Sequence, residues 1–130
     1  CYRRARPDLY SAERSLIVDL KSSADASEAG FRRSMGQYRY YNQAAWYIDT
    51  LEACGEPTCD FVFLVVENVE PYAVALYALD DATLEQARRE NAQAAKTWAS
   101  CTDSGVWPGY EPGIGRLVLP SYLRDSLFDA

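Results

Sequence analysis

The sequence predicts one α/β domain with a central mixed sheet flanked by helices. Two short apolar runs, residues 16–18 and 61–66, have the length and composition of buried strands. Helical periodicity fills residues 38–53 and 81–100 instead. The two kinds of segment alternate along the chain, which is the pattern of a sheet covered by helices.

Residues 2–10 mix aromatics with arginines and suggest a first strand that Pro7 and Asp8 bring towards its end. Residues 11–14 are polar and fit a turn. Residues 16–22 form the second strand of a hairpin. Leu16, Ile17 and Val18 are apolar on both faces, which predicts a strand covered on both sides. Residues 23–27 are a small polar loop, and Ser27 suits the cap of a short helix over 28–35. A second helix over 38–53 has an aromatic inner face and stops at Gly55 and Pro57. Residues 60–67 and 72–79 are strong strands whose short connection makes an antiparallel hairpin. Asp80 or Asp81 then caps a long helix to about residue 100, with Leu84, Ala87, Asn91, Ala94 or Ala95, and Trp98 facing inward. Residues 105–115 are a Gly- and Pro-rich loop. Residues 117–119 are apolar, and 121–128 suit a last short helix.

Composition narrows the function. The chain has 130 residues, enough for one domain with a core. Its net charge of −6 argues against gripping nucleic acid over the whole surface, but not against a local basic groove or an acidic cation site. With no histidine, Ser-His and Cys-His nucleophile pairs and His-based zinc sites are excluded. The four cysteines, Cys1, Cys54, Cys59 and Cys101, lack paired CxxC spacing and read as free thiols. No segment is apolar enough to span a membrane, and no signal peptide is visible.

Three constellations carry chemistry. Asp19 and Lys21 lie two apart in a strand, so they share a face, with Leu20 opposite. Asp8, on the neighbouring strand, can converge on Asp19. Two close carboxylates suit a Mg²⁺ or Mn²⁺ ion, and the Leu20 carbonyl can add an oxygen ligand. Lys21 could position the attacking water and stabilise negative charge on a phosphate. A plain surface pair between Asp19 and Lys21 explains the same triplet. Gln43 and Tyr47 lie one helical turn apart and can reach one point, although a core Tyr47 with Gln43 as its solvated neighbour is the simpler reading of the spacing alone. Arg32, Arg33, Gln37, Tyr38, Arg39, Tyr40 and Tyr41 interleave arginines with tyrosines, which suits a phosphate backbone and exposed bases, or a protein surface.

Taken together, Pro7-Asp8, Asp19-Leu20-Lys21 and Gln43-xxx-Tyr47 resemble the PD-(D/E)xK nuclease superfamily, and within it the RecE-type exonucleases of phages and prophages. The resemblance runs from about residue 3 to residue 120. It implies a restriction-endonuclease-like core and Mg²⁺- or Mn²⁺-dependent hydrolysis of double-stranded DNA ends for recombination. Asp8 and Asp19 would be metal ligands, with the Leu20 carbonyl as a third. Lys21 would be the catalytic lysine, and Gln43 and Tyr47 the helix motif beside it. Arg32, Arg33, Arg39 and Tyr40 would contact DNA. The resemblance also implies a ring-shaped homo-oligomer, a single-strand annealing protein as partner, and a cytoplasmic setting in a bacterium or a phage-infected host. Glu67 lies in a matching strand without an assigned role. Relatives carry a further acidic or histidine ligand upstream of Pro-Asp. The chain begins at Cys1, so it is expected to be the C-terminal portion of a single longer nuclease domain. A catalytically incomplete fragment that binds DNA or protein is the alternative. Some relatives hold an iron–sulfur cluster on four cysteines, a layout that Cys54, Cys59 and Cys101 do not match.

Overall fold

The computed structural model describes residues 3–110 and 112–120. Its elements run β1 (Leu9–Ser11), β2 (Leu16–Ser23), α1 (Glu28–Tyr38), α2 (Tyr40–Ala53), β3 (Asp60–Glu67), β4 (Val74–Ala78) and α3 (Asp81–Ser104). This is the predicted order. The helix expected over 121–128 lies outside the described residues. The strands form one sheet in the order β1-β2-β3-β4. The β1/β2 and β3/β4 pairs are antiparallel, whereas β2 and β3 run parallel, with Asp19 opposite Phe63 and Lys21 opposite Val65. A parallel pair needs a long crossover, and α1 and α2 supply it.

Strand alternation sorts the sheet into two unlike faces. One carries Ile17, Asp19 and Lys21 from β2, Phe61, Phe63 and Val65 from β3, and Tyr77 from β4. The helices cover it. Phe31 from α1 and Ala44 and Ile48 from α2 complete a buried core with Ile17, Phe61, Phe63 and Val65. Phe31 stacks on Tyr77 and meets Phe63 edge to face, with ring centroids 5.3 Å apart in both pairs. The other face carries Leu9, Val18, Leu20, Leu64, Val74 and Leu76. Leu20 is 56% exposed and Leu76 66%. The expectation of a β2 covered on both sides is therefore corrected. Among the described residues, only one face has a helical layer, and an apolar run in a strand does not reveal which of its faces will be packed.

Other boundaries also move. β1 is three residues long, so the expected strand over 2–10 shrinks to its last part, and Pro7 and Asp8 precede it. Arg39, expected inside the second helix, adopts φ 55°, ψ 40° and separates α1 from α2. A left-handed non-glycine residue ends a helix by turning the chain sharply. α3 extends to Ser104, where Gly105 closes it in the left-handed conformation. Its inner face holds only in the first half. Ala87 is buried and Leu84 packs against the core, but Ala94, Ala95 and Trp98 are exposed, which corrects their assignment as inward positions. The buried residue near that end is Cys101. Cys54, Cys59 and Cys101 are free thiols, as expected.

Polar contacts fix how the helices sit. Arg88 donates to Asp49 at 2.9 Å, and Asn42 and Asn91 bond across the α2/α3 interface. Glu90 of α3 lies in the same interface, paired with Arg39. Hydrogen bonds from Gln86, then Asn42 and Arg39, hold its carboxyl at about 2, below the ordinary 4.5. A depressed carboxyl stabilises the fold above its unfolded value and loses that contribution as pH falls towards its folded one. The melting temperature should therefore fall between pH 4.5 and 2, and Glu90→Gln should flatten that fall in thermal melts across the range.

Gly30, in the first turn of α1, is fixed by a close approach. A Cβ there would stand 2.3 Å from the Asp25 carboxylate, which accepts from Ser27 N–H at 2.9 Å. Replacing glycine with alanine inside a helix normally gains up to about 1 kcal/mol. Here the clash should win, and Gly30→Ala should lose roughly 1–3 kcal/mol in denaturant unfolding. The same change in an Asp25→Ala background should be neutral or stabilising.

Candidate active site

Asp19 and Lys21 lie near the carboxyl end of β2, on the helix-covered face. Asp19 is 2% exposed. A buried carboxylate must be paired or hydrogen-bonded, and two groups meet that need. Lys21 Nζ forms an ion pair with Asp19 Oδ2. Gln43, from α2, donates through Nε2 to Asp19 Oδ1 at 3.0 Å and accepts from Lys21 Nζ through Oε1 at 2.9 Å. One amide thus holds acid and base together. Asp19 Oδ2 takes no aligned hydrogen bond besides its ion pair. It is a buried oxygen with unused acceptor capacity.

Asp8 enters from the segment before β1. Its Oδ2 accepts from the Leu20 backbone N–H at 2.9 Å, so its carboxylate lies against the backbone of the Asp19-Leu20-Lys21 triplet. The Leu20 side chain points to the bare face, as the alternation required.

Tyr40 sits where no DNA contact was needed to explain it. The Lys21 ammonium lies 4.5 Å from the centre of its ring, a cation–π contact that orients the amine. Tyr38 stacks on the same ring at 5.5 Å. Sequence spacing hid this pair, because residues two apart on one helix do not face each other. The left-handed Arg39 between them brings the rings together.

The remaining expected residues are scattered. Tyr47 packs edge to face against Phe61 at 6.4 Å, within the core cluster. Arg39 is tied to Glu90 and Asn42. Arg32 pairs with Glu28 one turn away and lines a cavity with Tyr77 and Thr83. Arg33 has the loosest tie, to Asp25 at 3.4 Å, and faces a different cavity, beside the ends of β2 and β3. The basic cluster is thus divided between two sides of α1. Glu67 acquires a structural role: its Oε1 accepts from Ala26 N–H at 2.9 Å and fixes the loop before α1. Among the described residues, no three His, Cys, Asp or Glu side chains gather at one point, and no helix is long and apolar enough to cross a membrane.

Comparison with known proteins bears on the fold and the family. No curated protein matches the chain. Its fold is similar to the crystal structure of a "Putative exonuclease" from Eubacterium rectale, with a TM-score of 0.59 and 16% sequence identity over 88% of this chain. The chain spans 48% of that protein's length. Residues 2–114 match the family described as a PDDEXK-like domain of unknown function (DUF3799). The chain therefore belongs to that PDDEXK-like family, within the PD-(D/E)xK nuclease superfamily.

Proposed function

We propose that the chain provides the catalytic half-site of a divalent-metal-dependent deoxyribonuclease of RecE type, which hydrolyses phosphodiester bonds at the ends of double-stranded DNA. The observation that carries this reading is the Asp19–Lys21–Gln43 cluster, with Asp8 against the same backbone. A plain surface salt bridge needs no burial, no shared amide and no second carboxylate.

The donor set suits a hard cation. Two carboxylates and the Leu20 carbonyl are oxygen ligands of the kind that Mg²⁺ and Mn²⁺ accept. Asp19 Oδ2, buried and paired with Lys21, keeps acceptor capacity that such an ion could use. Asp8, Asp19 and the Leu20 carbonyl would hold it, and it would supply positive charge against the phosphodiester.

The chain's own groups do the rest. Lys21, steered by Gln43 and the Tyr40 ring, presents a fixed ammonium to the oxygens that gain charge as the phosphate is attacked. Gln43 keeps the Asp19 carboxylate and the Lys21 ammonium in register, so neither reorganises during the reaction. The helix layer shields the pair from water and strengthens its field.

The test is incubation of linear and circular duplex DNA with Mg²⁺ or Mn²⁺, alongside Asp19→Ala and a chelated control. Loss of the linear duplex alone, only with metal, and not in Asp19→Ala, supports a metal-dependent exonuclease. DNA binding without turnover in either metal would point instead to a nuclease-like binding module.

A further inference from the structure

A cleft of about 400 Å³ opens beside the Asp19–Lys21 cluster, at the carboxyl ends of the parallel strands β2 and β3. In open α/β sheets, ligands bind at that end of parallel strands. Ser22, Ser23 and Asn68 form the strand-end part of the cleft, and Asn68 N–H donates to Ser23 O at 2.9 Å. Along α1, Arg33 and Gln37, and likewise Ser34 and Tyr38, lie four residues apart and so share faces. All four line the cleft.

The charge in the cleft decides what it can hold. Hydrogen bonds from the Ser27 side chain and backbone hold the Asp25 carboxyl below its ordinary range, so it is ionised at neutral pH. It faces Arg33, the one cationic side chain lining the cleft among the described residues, at 3.4 Å. The two charges offset each other, so the cleft does not attract a phosphate strongly. It offers amide and hydroxyl groups together with an aromatic face. Tyr38 is 60% exposed, yet its ring is stacked on Tyr40 with the planes inclined at 25°, and Tyr40 in turn touches Lys21. The left-handed Arg39 that creates this stack is an uncommon conformation for a non-glycine residue, and such outliers gather at functional sites.

We propose that this cleft is a nucleobase subsite, in which Tyr38 stacks on an unpaired base of single-stranded DNA next to the phosphodiester presented to Asp19 and Lys21. Gln37, Ser34 and Asn68 supply hydrogen-bonding groups around the base edge. This subsite rests on the nuclease reading above and names the form of DNA that enters: a strand end unpaired by at least one nucleotide.

The test is equilibrium binding of a fluorescent single-stranded oligonucleotide by the full chain, with chelator present so that no turnover occurs. One stacked base is worth enough that Tyr38→Ala should raise Kd roughly 5- to 100-fold. Tyr38→Phe, which keeps the ring, should bind within about threefold of the parent. An abasic oligonucleotide should bind the parent more weakly than the normal one, and Tyr38→Ala should no longer distinguish the two. Equal Kd for Tyr38→Ala and the parent, an abasic penalty that survives in Tyr38→Ala, or no single-strand binding at all would each overturn the subsite. Because the readout needs no hydrolysis, absent cleavage with ring-dependent binding would refute the nuclease reading and leave the subsite standing.

Discussion

Asp19→Asn should abolish the proposed metal-dependent DNA cleavage and leave the fold standing. The substitution keeps the shape and the acceptor that Gln43 uses, and removes only the charge. Loss of one preorganised charge lowers turnover by about 10²- to 10³-fold, and loss of a metal-binding carboxylate adds to that. Lys21→Met should lower turnover to a similar degree for a different reason, because the ammonium facing the phosphate is gone. The two variants part in stability. Without Lys21, the buried Asp19 carboxylate has no counter-charge, and breaking such a pair from one side costs about 3–5 kcal/mol. Without the Asp19 charge, Lys21 can swing its ammonium to water on its flexible stem, so the cost is smaller. The double variant Asp19→Asn/Lys21→Met should recover most of the stability lost in Lys21→Met and none of the activity. Cleavage rates with parallel thermal melts would show this separation.

Phe63→Ala should cost about 3–5 kcal/mol, as much as the loss of Lys21. Phe63 is fully buried at the centre of β3, directly beside Asp19 on β2, and touches the rings of Phe31, Tyr40 and Phe61. For a chain of this length, that corresponds to a fall of roughly 10–20 °C in melting temperature. Leu76→Ala on the opposite face should change stability by no more than about 0.5 kcal/mol, because that side chain is already in water. Denaturant unfolding of both variants tests the one-sided core. Comparable losses would mean that the outer face is also packed.

Much of this architecture was legible in the sequence because it rests on local rules. The period-2 alternation in LIVDLK placed Asp19 and Lys21 on one face and Leu20 on the other. The family resemblance, rather than helix spacing, implied that Gln43 would stand beside them. Ser27 caps α1 as its side chain predicted, and of the two candidates for α3, Asp80 is the cap. Relations set by tertiary placement were not legible. Helix spacing left Tyr47 to the core or to the site, and tertiary packing turned it to Phe61. Nothing local told that a left-handed Arg39 would split one aromatic helix into two and put Tyr40 under Lys21. The arginines looked like one basic patch, yet each found a carboxylate, and α1 turned Arg32 and Arg33 to different cavities. The uncovered outer face of the sheet was hidden for the same reason. A run of valines and leucines records that a face is apolar, not what lies against it.

In the proposed site, Asp8 and Asp19 together hold a cation beside Lys21. This is tested most directly by titrating Mn²⁺ into the full chain and into Asp8→Asn and Asp19→Asn, with binding followed by the loss of the free-ion electron paramagnetic resonance signal. The predicted result is saturable Mn²⁺ binding to the parent, displaced by excess Mg²⁺ and lost or strongly weakened in both variants. Mn²⁺ binding of equal strength in the parent and in both variants, or no saturable binding to the parent, would contradict it.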